Sequence, residues 1–137
     1  MQDVQQAANQ GMYRAYQALA VLTALLLIVQ PILFGQSLYN DHDYIDIHAI
    51  VANGLAFVVA VQVVVCFLGR SKWGFATVVW NAILFVLIVA QIGLGYSAED
   101  SDGAAQVHIP LGVFMFGLGL IIALLGFFDI RRQGAPR

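Results

Sequence analysis

The chain has 137 residues and a net charge of −2 at neutral pH; 61% of its residues are hydrophobic and 10% are charged, and its mean hydropathy is +0.82. A water-soluble domain is far more polar, so these proportions exclude a soluble globular protein and point to the lipid bilayer. The single cysteine, Cys66, excludes an internal disulfide and any cysteine-based metal cluster.

A hydrocarbon core about 30 Å thick is crossed by about 20 apolar residues rising about 1.5 Å each. Four runs of that kind occur, at about 15–34, 47–68, 73–94 and 107–128. Almost nothing remains for a second domain. The expected fold is therefore all-α: one integral membrane four-helix bundle over 1–137.

Ahead of the first run stand Gln2, Asp3, Gln5, Gln6, Asn9 and Gln10 in place of a basic segment, and no small-residue cleavage site follows it. The run is expected to stay as a helix and not to be removed as a signal peptide. Residues 1–14 either lie as a short helix on the inner membrane surface, the preferred reading, or are disordered.

The charge pattern orients the bundle. Arg14 precedes the first run, Arg70 and Lys72 fill the turn between the second and third, and Arg131, Arg132 and Arg137 follow the fourth. The other two loops carry Asp41, Asp43, Asp46, Glu99, Asp100 and Asp102 with no Lys or Arg. Because basic flanks stay in the cytoplasm, the chain is expected to be a multi-pass cell-membrane protein with both termini inside. The acidic loops then face outward, as a solvated surface in preference to a docking face for a basic partner or cation.

One pattern is used twice. Gln30, Gly35, an acidic loop and His48 in the first hairpin correspond to Gln91, Gly95, an acidic loop and His108 in the second, with 13 residues from Gly to His in both. Such a duplication predicts two pseudo-symmetric hairpins related by a two-fold axis along the membrane normal. The axis would bring His48 and His108, each read as lying in the first turn of its helix, level and face to face near the outer surface. Pro110 fits that reading as a mark of a helix start.

An imidazole at membrane depth generally has a partner, and no Asp or Glu lies within the runs near these two. Haem iron accepts two neutral imidazoles from opposite helices. The helical stripe below His48 reads Ala52, Leu55, Val59, Gln62, Cys66, and that below His108 reads Gly112, Met115, Gly119, Ile122, Gly126. Ala52 and Gly112, one turn past each histidine, would leave room for a flat ligand. The glycines are equally explained as close helix packing.

Gln30 and Gln91 read as groups that hydrogen-bond an imidazole, a haem propionate or a neighbouring helix; Thr23, Thr77, Gln62 and Asn81 read as interior polar contacts. Tyr39, Tyr44, Tyr96, His42, Gln36, Asn53 and the outward helix N-termini are candidate donors to propionates. His42, between Asp41 and Asp43, is expected to sit in an exposed turn.

The odd helix ending in Gln and Gly, the polar outer loop and the His opening the next helix resemble one half of haem A synthase, over about residues 23–128. The resemblance implies that His48 and His108 are paired haem ligands. That family carries a Glu just before the His, where Asp46 is the nearest acid here, and many of its members have a cysteine pair in the outer loops that this chain lacks. The chain also resembles small four-span membrane proteins of archaea and actinobacteria, a likeness that implies no activity.

The leading expectation is a membrane-bound b-type cytochrome. It would hold one haem b, with His48 and His108 as iron ligands and Ala52, Gly112, Gln30 and Gln91 beside them, for electron transfer or haem handling. Its partners would be the lipid bilayer, a quinone or an extracytoplasmic redox protein, or a second copy in a homodimer; no nucleic acid is expected. The alternatives are a half-length haem A synthase-like enzyme acting as a dimer, and a non-haem accessory or scaffold subunit.

Overall fold

The computed structural model describes residues 2–98 and 100–133, and their side chains over 10–71, 73–98 and 100–128. The side chains of Lys72, Arg131 and Arg132, and the residues Glu99 and Arg137, lie outside that description, as do the side chains of residues 2–9. The inward placement expected of Lys72, Arg131, Arg132 and Arg137 falls outside the described residues with them.

Among the described residues every regular element is a helix: α1 (Gln2–Tyr39), α2 (Tyr44–Leu68), the single turn α3 (Arg70–Trp73), α4 (Phe75–Ser97) and α5 (Asp102–Gln133). The segments Gln10–Tyr39, Tyr44–Leu68, Phe75–Ser97 and Asp102–Phe128 are long and apolar enough to cross a membrane.

Three expectations change here. Residues 2–14 form no separate surface helix but are the first turns of α1; glutamine, alanine, methionine and arginine, which make up most of them, propagate a helix well, and no proline interrupts the segment. Trp73 does not open a span. Gly74, at φ +86, makes a reversal that a side chain would strain, and it sends Trp73 back under the bundle, where its Nε1 donates to the Cys66 carbonyl at 2.9 Å.

The third change concerns the histidines. α2 begins at Tyr44 and α5 at Asp102, so each helix starts more than a turn ahead of its histidine, and Pro110 lies inside α5. Ser101 makes the early start of α5 possible: its carbonyl receives the amides of Ala104 and Ala105, and its hydroxyl accepts the Ala104 amide at 3.4 Å, as a helix-capping serine does. At about 1.5 Å per residue the open helix ends stand roughly 6 and 9 Å beyond His48 and His108.

α1 packs on α2 and α5, and α4 packs on the same two, so α2 and α5 face each other across the diagonal of a four-helix square. Ala20, Ala24, Leu27, Leu55, Val59, Leu84, Ile88, Met115 and Ile122 fill the centre. Gly119 is a packing glycine, since a Cβ there would come within 2.5 Å of Leu27 Cδ1. Large apolar side chains cover the outside instead, with Phe57 at 71% and Phe114 at 60% exposure. Water would penalise that surface and lipid does not.

The basic-turn half of the core is polar. Thr23 Oγ1 donates to Gln62 Oε1 at 2.7 Å, Gln62 Nε2 to Asn81 Oδ1 at 2.5 Å, and Asn81 Nδ2 to Tyr16 OH at 3.1 Å. This chain of amides ties α1, α2 and α4 together with every link buried, which fixes their register. Trp73 stacks on Tyr16 with centroids 5.6 Å apart beneath it.

Candidate functional site

The acidic-loop half of the diagonal is hollow. A cavity of about 570 Å³, within the usual range for a ligand site, is bordered by all four long helices. His48, His108, Ala52, Gly112, Gln30 and Gln91 all border it.

The two imidazoles hold equivalent positions. His48 Nδ1 lies 3.1 Å from the Gln30 carbonyl and His108 Nδ1 lies 3.0 Å from the Gln91 carbonyl. A carbonyl oxygen only accepts, so each Nδ1 carries the hydrogen, and in the neutral ring Nε2 is then the nitrogen with the lone pair. A carbonyl at the ring's other nitrogen is also what orients a metal-ligating histidine. The ring centroids are 6.3 Å apart and the planes are inclined at 59°.

What seats the rings differs between the halves. A Cβ on Gly95 would stand 3.1 Å from His108 Cε1, whereas a Cβ on Gly35 would meet nothing within 4 Å. Phe34 instead lies beside His48, with centroids 6.1 Å apart. The repeat marks Gly95 but gives no sign that it is the glycine an imidazole rests on. Phe34 carries no sequence signal beyond being apolar.

The glutamines differ too. Gln91 Nε2 donates to the His108 carbonyl at 2.7 Å, leaving its Oε1 buried and unpaired, while both polar atoms of the Gln30 side chain are buried and unpaired. An unmet buried polar group costs about 1 to 3 kcal/mol. Such a cost at a cavity wall fits a site whose polar partners arrive with a ligand.

Of the candidate donors to propionates, Asn53 and Tyr96 border the cavity, and Asn53 Nδ2 donates to Tyr96 OH at 3.2 Å. Tyr39, Tyr44, His42 and Gln36 do not border it. Gln36 Oε1 instead accepts from Asn40 Nδ2. His42 is exposed in a turn in which the Asp43 amide donates to Asp41 Oδ1 at 3.0 Å. The amides at the helix starts lie beyond the level of the histidines, for the reason given by the early start of α2 and α5.

No protein-family model, curated protein or solved structure matches the chain.

Proposed function

We propose that the chain is a membrane-bound b-type cytochrome that holds one haem b between His48 and His108. The observation that carries this reading is the pair of imidazoles across the cavity, each fixed through Nδ1 to a helix carbonyl and each left with Nε2 as its ligating nitrogen. A metal ion lies about 2.0 to 2.1 Å from an imidazole nitrogen, so two rings ligating one ion have centroids about 6 to 6.5 Å apart. The separation of 6.3 Å suits that span.

Haem would supply a one-electron couple at this end of the bundle. The residues of the chain supply its setting. His48 and His108 offer ring nitrogens, Ala52 and Gly112 border the cavity one turn below them, with Gln91 Nε2 seated over Gly112, and Leu55, Ile88 and Met115 close the floor against water. An apolar wall of this kind lowers the local dielectric around a charged centre.

By the distribution of basic residues, the cavity faces the outer leaflet and both termini face the cytoplasm. A single centre at one face does not carry electrons across the bilayer, so a quinone, an external redox protein or a second copy completes the path. The test is the absorption spectrum of protein purified after expression with ample haem, oxidised and reduced. Six-coordinate, low-spin haem at one per chain is expected. A colourless protein overturns the reading in favour of a non-haem subunit.

A further inference from the structure

The two halves of the cavity also differ at the position one turn past each histidine. In the second half Gln91 Nε2 reaches the His108 carbonyl at 2.7 Å, and it does so over Gly112, where a Cβ would stand only 3.1 Å from that nitrogen. The corresponding position in the first half, one turn past His48, is Ala52. Ala52 carries a methyl group where Gly112 has only a hydrogen. Gln30 makes no matching bond to the His48 carbonyl, and its amide has neither donor nor acceptor paired although the residue borders the cavity.

We propose that Gln30 is the residue that recognises an oxygen atom carried on the cavity's apolar ligand, a carboxyl or carbonyl oxygen that accepts from Nε2. Gln91 is committed to holding the helix backbone at His108; Gln30 is held in reserve for the ligand by the Ala52 methyl group. The inference deepens the haem reading and rests on it where the oxygen belongs to a propionate. A quinone carbonyl offers the same chemistry, and the test separates the two sources.

Three probes are titrated into the full chain in detergent: haem b, an iron porphyrin bearing alkyl groups only, and a short-tailed benzoquinone. Gln30→Leu is expected to weaken haem about tenfold, the worth of one hydrogen bond, and to leave the alkyl iron porphyrin unchanged. Removing an unpaired amide does not harm the apoprotein, so its melting temperature should hold or rise. Ala52→Gly keeps the amide but lets Gln30 turn to the His48 carbonyl, and it should weaken haem in the same selective way. Equal loss for both porphyrins, or none for either, overturns the inference and leaves the haem reading standing. If neither porphyrin binds while the benzoquinone binds in a Gln30-dependent manner, the haem reading fails and Gln30 keeps its role. Binding of none of the three overturns both.

Discussion

His48 and His108 hold their ring centroids 6.3 Å apart, although 60 residues separate them and their helices meet only across the diagonal of the bundle. Removal of either imbalances the pair. His48→Ala and His108→Ala are each expected to abolish stoichiometric haem binding, read as haem per chain after purification. His42→Ala, in its exposed turn, should leave binding intact; an equal loss there would reassign the ligands.

Gly95 and Gly35 occupy matching places in the repeat but not matching surroundings. Gly95→Ala presses a methyl group onto the His108 ring, so it should disturb the haem spectrum and weaken binding severalfold. Gly35→Ala meets open space and should be silent. Identical behaviour of the two variants would show that the rings are not seated as described.

Gly112→Leu places bulk beside the cavity and against Gln91 Nε2. Overpacking costs about 1 to 3 kcal/mol in a filled core, but here the ligand can leave instead. Haem should be lost while the protein stays monodisperse. Phe114→Leu, on the exposed side of α5, is the control. A monodisperse Gly112→Leu chain with full haem would place the cofactor on another face of α5.

Asn81 joins Gln62, Tyr16, Cys66 and the Thr77 carbonyl at the polar half of the core. Asn81→Leu strands the Gln62 amide nitrogen, and it should lower stability in detergent by about 1 to 2 kcal/mol, measured by denaturant titration. Haem affinity should change little, because the network lies in the half of the bundle away from the cavity.

Tags at residue 1, in the turn at 70–72 and at residue 137 should be protected in right-side-out vesicles, and tags near Asp43 and Asp102 accessible, if the basic residues that flank the apolar runs in the sequence hold those segments in the cytoplasm. Labelling of the Arg70 turn from outside would reverse the orientation.

The sequence by itself determined the four apolar runs, the helical class and the repeat that singles out His48 and His108, because lipid imposes a length and hydrophobicity on any spanning helix. The buried stripes below both histidines were equally legible, since a helix repeats its face every 3.6 residues. Helix ends were not. Capping by Ser101 and the reversal at Gly74 depend on local backbone geometry that a hydropathy pattern does not encode. Only the tertiary structure decided that Gly95 seats a ring while Gly35 does not, and that the Gln91 side-chain nitrogen is bonded while the Gln30 side chain is unpaired. Those differences arise from how closely side chains on different helices approach one another, and near-identical motifs carry no trace of them.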